Sequence, residues 1–498
     1  MDPEPTLRGP GATRREFLGA LAGGAALVGL AACGGSSNGA KPRVPVGGTA
    51  FFEPASLRSS NGRLEVTLVA AGRMIPFGNG RRFAFTYNGT TPGPTLRVRP
   101  GDTLVITLVN HLDTPTNLHT HGLHVSPSGQ ADNIFVTVAP GAAHQYVYEI
   151  PPDHRSGLFW YHPHHHGTVA DQVFGGLAGA IIIEDGLDDQ TEISASHERL
   201  MVLADPLLAD SAGGFGVSMM EQMSGREGDV VVVNGVVAPK LVAAAGALER
   251  WRVLNASPSR YYRIAVEGHT LHQIGTDGGR LDAPVEHAEL LVAPGERAEL
   301  LLNPNRAGDY LVRALSYDRG TATMGGMGGG GTRRDPTTLL ATLAVRGNAA
   351  RATIPRQITI VEDLRSAAID RTRTLTLATG MGGGMGGGGT SNRGFTIDGQ
   401  SFDPTRTDIS TRLDTIEEWV VRNSSSMDHP FHLHVWPFQV VDDASGNPMR
   451  GWKDTVNVPA GASVRIRVAF RDLTGRTVYH CHILDHEDLG MMGVIDVE

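Results

Sequence analysis

The sequence predicts an all-β protein assembled from three copies of one β-sandwich unit. Three observations carry that prediction. The chain has 498 residues, too many for one ordinary core and about three domains at the usual domain size. Its composition favours strands and turns over long helices: 64 Gly and 29 Pro punctuate short apolar runs rich in Val, Leu and Ile, Lys is scarce, and the 40% hydrophobic content fills buried cores. Finally, one block recurs. Tyr87-Asn88-Gly89 leads through Pro94-Thr95-Leu96 and Gly101-Asp102 to Leu108-Val109-Asn110. Val233-Asn234-Gly235 leads through Pro239 and Leu241 to Glu249-Arg250-Trp251-Arg252-Val253-Leu254-Asn255. Ile397-Asp398-Gly399 leads through Thr411-Arg412-Leu413-Asp414 to Glu418-Trp419-Val420-Val421-Arg422-Asn423. Each block is a turn, a short extended segment and an alternating apolar strand ending in Asn, which implies three copies of a sandwich. The expected domains are residues 49–190, 191–350 and 351–498.

Ahead of them, Thr13-Arg14-Arg15-Glu16-Phe17-Leu18 precedes an apolar, Ala- and Gly-rich stretch ending at Leu30-Ala31-Ala32-Cys33-Gly34. A twin-arginine export signal has this form, and its end resembles a bacterial lipoprotein cleavage box. Residues 1–33 are therefore read as a signal whose Cys33 becomes a lipidated first residue, with a plain signal cleaved nearby as the alternative. The apolar stretch is too short for a membrane span. Residues 34–48, bearing Gly, Ser and Pro, form a tether. The expected location is periplasmic or at the cell surface. A formal charge of -9, without a basic cluster beyond the first residues, argues against a nucleic-acid partner.

The first and third blocks each run into a histidine cluster, whereas the second continues through Pro258 and Tyr261 to the single His269. The clusters are His119-Thr120-His121-Gly122, Trp160-Tyr161-His162-Pro163-His164-His165-His166, His429-Pro430-Phe431-His432-Leu433-His434, and a C-terminal run holding His480, Cys481, His482, His486 and Met491. Alternate residues on a strand share a face. Two histidines so spaced lie roughly 7 Å apart, from a rise of about 3.3 Å per residue, which suits bridging neighbouring metal ions. Along the last run, His480 and His482 face one way and Cys481 the other, so one short strand touches two metal centres. A thiolate with imidazoles and a distant thioether is the ligand set of a blue-copper electron-transfer site. Clusters this far apart in sequence must converge, joining the two ends of the chain at the metal.

These four segments resemble the copper-binding signatures of multicopper oxidases: His-X-His-Gly, Trp-Tyr-His-X-His, His-Pro-X-His-X-His and His-Cys-His-X3-His-X4-Met, in the family's order. The resemblance implies three cupredoxin-like Greek-key sandwiches with a trinuclear copper cluster between the first and last. It implies four coppers per chain. His429, Cys481 and His486 would bind the type 1 copper with Met491 as weak axial ligand; His119 and His432 the type 2 copper; and His121, His162, His164, His434, His480 and His482 the two type 3 coppers. In the second motif the pairing can also slip to His164 with His166. The resemblance favours His162 and His164, because the family's pair begins directly after the aromatic dipeptide, here Trp160-Tyr161. With Cys481 on copper and Cys33 lipidated, neither of the two cysteines is left for a disulfide, despite an oxidising location.

The implied activity is one-electron oxidation of a reducing substrate at the type 1 copper, coupled through Cys481 to reduction of dioxygen to water. Asp132 and Glu487 are candidates for delivering protons. Met427 and Asp428, next to His429, are candidates for meeting the substrate, with Ser425 standing where cuprous oxidases have an acidic residue. A phenol or aromatic reductant, as in laccases, and Cu(I), as in copper-tolerance oxidases, both remain open. Met324, Met327, Met381 and Met385 lie in glycine-dense segments that are either plain loops or soft-ligand sites for Cu(I). Some exported relatives are scaffolds that have lost their copper ligands; here every expected ligand is present.

Overall fold

The computed structural model describes residues 49–78, 80–186, 191–194, 196–209, 216–320, 336–381 and 393–498. The expected signal and tether, Met324, Met327 and Met385 lie outside them.

The repeated block is visible as one piece of physical chemistry built three times. Its turn residues Asn88, Asn234 and Asp398 take left-handed φ values of 53°, 51° and 52°, and the glycines after them take 84°, 78° and 76°. Two successive positive φ values are what a tight hairpin turn demands, and Asn-Gly or Asp-Gly meets that demand at least strain. Each of these side chains also accepts a backbone N–H from a neighbouring strand: Val69 to Asn88 at 2.8 Å, Val202 to Asn234 at 2.8 Å, Thr376 to Asp398 at 2.7 Å. The Asn that ends each block is buried and clamps the chain that follows. Asn110 donates to the Thr114 and Val138 carbonyls, Asn255 to those of Arg260 and Val292, and Asn423 to those of Met427 and Val458. Each also accepts from the N–H two residues on. Such caps satisfy backbone groups where the strand leaves the sheet.

Around these blocks lie three two-sheet sandwiches. The first pairs a sheet ordered Ser56–Arg58, Thr95–Val98, Gly179–Ile183, Gly157–His162, His119–His121 with one ordered Gly80–Tyr87, Arg63–Phe77, Thr103–His111, Ala143–Glu149. The second is built within residues 197–348 from a six-stranded and a five-stranded sheet. The third pairs Arg393–Ile397, Arg371–Met381, Thr415–Asn423, Ser463–Phe470, Phe438–Asp442 with Ile409–Thr411, Met492–Val497, Gly475–Cys481, His429–Leu433, Thr455–Val458. In all three, the strand that carries the capping Asn runs parallel to an earlier strand that precedes the one entering the turn: Thr103–His111 to Arg63–Phe77, Glu249–Asn255 to His197–Ala204, and Thr415–Asn423 to Arg371–Met381. Neighbours that are not consecutive in the chain give the Greek-key order. Each sandwich fills its own apolar core, the third around Trp419, Phe431, Trp436, Cys481 and Met491.

The histidine-bearing strands belong to the first and third sandwiches, His119–His121 and Gly157–His162 in one, His429–Leu433 and Gly475–Cys481 in the other. The second sandwich packs against both through its strand Arg297–Leu302 and its 277–297 segment.

Candidate metal centre

His119–His121 lies antiparallel to Gly157–His162, with His119 opposite His162. His429–Leu433 lies antiparallel to Gly475–Cys481, with His432 opposite His480. Strand alternation then aims each His-X-His pair to one side, and eight rings from the two sandwiches meet in one buried cluster. His119 stacks on His434 at 3.8 Å between centroids and His121 on His432 at 3.7 Å. His121 and His482 are 5.0 Å apart, His164 and His480 4.9 Å. Trp160 stacks on His162 at 4.1 Å and walls the cluster.

Second partners decide which nitrogen each ring presents. His119 donates from Nδ1 to Asp132 Oδ2 at 2.8 Å, His432 from Nδ1 to the Asp454 carbonyl at 2.8 Å, and His162 from Nδ1 to the Pro163 carbonyl at 2.9 Å. Their Nε2 atoms are buried without a hydrogen-bond partner among the described residues. His164 Nε2 and His434 Nε2 both lie 3.1 Å from His480 Nε2, while His480 Nδ1 donates to the Cys481 carbonyl at 3.0 Å. Burial holds these rings neutral: His162 is pushed down to about 3 and His480 to about 4. His119, His121, His164, His432, His434 and His482 are also lowered by burial and then by one another or by Arg297. Neutral imidazole is the form that binds metal.

Cys481 points the other way, into the core of the third sandwich. Its Sγ lies 3.3 Å from His429 Nδ1 and 3.8 Å from His486 Nδ1, and those two nitrogens are 3.3 Å apart. Phe395 stacks on His486 at 3.9 Å, and the buried Met491 accepts the Cys481 N–H on its carbonyl at 3.0 Å. Burial pushes the Cys481 thiol up.

Both carboxylates singled out in the sequence, Asp132 and Glu487, touch the histidine cluster. Asp132 accepts from Thr120 N and Oγ1 at 2.8 and 3.1 Å besides His119, and burial pushes it up to about 7 against the pull of Thr120. Glu487 lies 3.2 Å from His480 Nδ1 and 3.5 Å from His164 Nε2, fully buried. Neither of its oxygens has a hydrogen-bond partner among the described residues, and burial raises its acid well above the ordinary range.

Multicopper oxidase family models match residues 69–188, 205–330 and 383–498. A multicopper oxidase of Staphylococcus haemolyticus is 30% identical over 453 residues, which span 89% of this chain and 90% of that protein. A laccase of Bacillus stratosphericus is 27% identical over 485 residues, spanning 83% of this chain and 90% of the laccase. A multicopper oxidase of Campylobacter jejuni described as a metallo-oxidase superposes with a TM-score of 0.77 at 30% identity, covering 90% of this chain and 95% of that structure. The chain belongs to the multicopper oxidase family. Its fold is accordingly the cupredoxin-like three-sandwich fold, its class oxidoreductase, and its metal copper.

The residues fit that metal. A family member built this way buries His119 Nε2, His121 Nδ1, His162 Nε2, His432 Nε2 and both nitrogens of His482 without a hydrogen-bond partner among the described residues. Leaving so many buried polar atoms unpaired is costly unless a metal takes their lone pairs. A buried thiol converging with two imidazole nitrogens adds the soft set that copper prefers.

The structure also separates the candidate pairings in the second motif. His162 and His164 lie in the cluster, whereas His165 sits against Thr137 Oγ1 at 3.2 Å and the exposed His166 against Phe402. Met427 and Asp428, the candidates for meeting the substrate, lie inside the protein beside His429. Both are buried, Met427 in the third core, and Asp428 accepts from Tyr317 Oη at 2.6 Å, Asn457 Nδ2 at 2.9 Å and Ala460 N at 2.9 Å. Their backbone is drawn inward by the Asn423 clamp on the Met427 carbonyl. At the outer edge of His429 stands the partly exposed Ser425, its Oγ 2.8 Å from Nε2. Sequence reasoning also missed Asp454, whose Oδ1 lies 3.0 Å from His121 Nε2; the one signal for it was a charged pair, Lys453-Asp454, leading into the apolar strand Thr455–Val458.

Proposed function

We propose that this multicopper oxidase couples one-electron oxidation of a small reductant to four-electron reduction of dioxygen to water, with four copper ions bound. His429, Cys481 and His486 would hold one, joined by the thioether of Met491. His119 and His432 would hold the second, and His121, His162, His164, His434, His480 and His482 the remaining pair. Bound copper supplies the one-electron redox chemistry at the first site and the dioxygen reduction at the second. The observation that carries the reading is Cys481: its thiol faces two imidazoles on one side of the strand while its chain neighbours His480 and His482 point into the other cluster on the opposite side. Only a few covalent bonds separate the two sets.

The chain's own groups do the rest. Trp160, Phe395 and the buried walls keep bulk water from the rings. Asp132 holds the His119 Nδ1 proton and fixes its ring. Glu487, lacking hydrogen-bond partners among the described residues and in contact with His480 and His164, is placed to carry a proton to the cluster. A reductant would approach His429 from the Ser425 side.

A phenolic reductant is the first reading. Cu(I) is the second, favoured by the short helix Met219–Ser224, where the Met223 carbonyl lies 3.3 Å from His486 Nε2 and Met219 and Met220 are 68% and 75% exposed; thioethers select that ion. Oxygen uptake by the copper-loaded chain separates them. Strong uptake with a phenol and no added copper supports the first, uptake only with excess copper or Cu(I) supports the second, and a loaded protein without a blue band sinks both. Export with a lipid anchor at Cys33 is part of the same proposal, and a mature N-terminus elsewhere than Cys33 in mass spectrometry overturns the anchor.

A further inference from the structure

Among the described residues the middle sandwich contributes no histidine to the cluster, yet its Arg297 reaches it. We propose that Arg297, acting through Asp454, is a positioning residue that sets which nitrogen of His121 faces the metal, making the middle domain a working part of the oxygen-reducing site. This rests on the copper reading above.

Arg297 is fully buried, and all five of its guanidinium N–H groups are used, on partners from all three sandwiches. Nε donates to the Leu158 carbonyl at 3.0 Å in the first. Nη1 donates to the Gly295 carbonyl at 3.1 Å and Nη2 to the Asp277 carbonyl at 2.8 Å in the second. Nη1 and Nη2 also grip Asp454 Oδ1 and Oδ2 of the third at 2.7 and 2.6 Å. A bidentate pair of this kind fixes a carboxylate in orientation as well as in place.

The carboxylate so held meets His121. Asp454 Oδ1 lies 3.0 Å from His121 Nε2 and also accepts from Thr455 Oγ1 at 2.9 Å. An imidazole that donates from Nε2 keeps its lone pair on Nδ1, and His121 Nδ1 is the buried nitrogen with no hydrogen-bond partner among the described residues. Two residues earlier on the same strand, His119 has the opposite arrangement, with Nδ1 on Asp132 and Nε2 open. Two carboxylates from different directions thus give adjacent histidines of one face different ligand atoms, and the two rings can serve different metal ions.

Gly122, the last residue of the His-X-His-Gly motif, fits this role. At φ +89° a Cβ there would lie 2.5 Å from Asp454 Oδ2 and would also collide with Arg297 Nη2. The motif's glycine therefore leaves room for the ion pair. The same segment backs a second ligand: a Cβ on Gly295 would sit 2.8 Å from the His482 ring. Lys453 pairs with Asp277 at 2.8 Å and Glu296 at 3.0 Å beside it. Two cations against three carboxylates leave a net negative charge next to the cluster, which suits metal cations.

The test uses the full chain loaded with copper, carrying Arg297→Lys or Asp454→Asn. Lysine keeps the charge without the two-pronged grip, and asparagine keeps the shape without the charge. Copper per chain and blue absorbance are followed while a chelator is titrated. Both variants should keep the blue absorbance and release the non-blue copper at chelator concentrations 10- to 100-fold lower than the parent, the usual cost of losing a partner of a metal ligand. Tyr261→Phe, which cuts the 2.9 Å bond from Tyr261 to Asn457 between the same two sandwiches, should leave that release unchanged; an equal loss there would mean mere loosening of the domain contact and overturn the proposal. Parent-like release in Arg297→Lys and Asp454→Asn also overturns it. Should neither variant fold, a crystal structure of the loaded parent decides: His121 bound through Nδ1 with Nε2 on Asp454 is expected, and binding through Nε2 overturns the proposal. A parent that takes up no copper would defeat the copper reading itself.

Discussion

Stripping the copper should leave a protein that mild acid unfolds. His119, His121, His162, His164, His429, His432, His434, His480, His482 and His486 are all buried and all held below the ordinary value of 6.5, first by burial. Below pH 6.5 the unfolded chain therefore binds protons on these rings that the folded chain refuses, and stability falls as pH falls. Buried carboxyls oppose this: Glu53, Asp132 and Asp488 are pushed up to about 7, Asp277 to about 6, and Asp205, Asp398, Asp485 and Glu487 are raised as well, so each gains its proton in the folded chain first. Eight such groups against these ten histidines leave the unfolded chain ahead by about two protons, at about 1.4 kcal/mol per proton and pH unit. That amounts to about 3 kcal/mol per unit, while a folded protein has about 5–15 kcal/mol in all. About two units of acid below 6.5 therefore remove much of that margin. Copper occupies the lone pairs and must be displaced before the rings titrate. Circular-dichroism melts of chelator-stripped and copper-loaded protein from pH 8 to pH 5 should show the stripped midpoint collapsing below pH 6.5 while the loaded one holds. A stripped midpoint that stays level over that range would refute the reasoning.

Cys481→Ser should abolish the blue absorption while copper remains bound at the histidine cluster; a retained blue band would remove Cys481 from the site. His164→Ala should lower copper per chain and stop oxygen uptake, whereas His166→Ala should do neither, since His166 is exposed and stands against Phe402, away from the cluster; the reverse result would restore the slipped pairing. Asp132→Asn should slow oxygen uptake and leave the blue band, because its carboxylate meets His119 and not the Cys481 side; unchanged turnover would end its assigned role. Asn255→Ala should cost about 2–4 kcal/mol, from two donated bonds of 2.8 and 3.0 Å and one accepted at 3.0 Å left unmade in a buried clamp. Its melting point should drop with copper per chain unchanged.

Much of this was legible before any coordinates, for a physical reason. The three turns Asn88-Gly89, Asn234-Gly235 and Asp398-Gly399 and the three clamps Asn110, Asn255 and Asn423 are local devices, each demanded by the backbone within a few residues. Ligand spacing is local as well: alternation on a strand tells which of His480, Cys481 and His482 share a face. The rest depends on long-range contact. Arg297 meets Asp454 157 residues away, and neither stands in a motif. Which ring nitrogen is open depends on partners such as Asp132 and Asp454, which spacing does not reveal. Met427 and Asp428 stand beside a ligand in the chain, and adjacency made them candidates for meeting the substrate; it does not reveal the buried network of Tyr317, Asn457 and Ala460 that holds the carboxylate.

The central claim is that electrons leave a reductant near His429 and meet dioxygen at the histidine cluster. Simultaneous measurement of dioxygen consumed, one-electron donor oxidised and peroxide formed by the copper-loaded chain tests it most directly. The account predicts four donor electrons per dioxygen with no peroxide released. Two electrons per dioxygen with matching peroxide would contradict it.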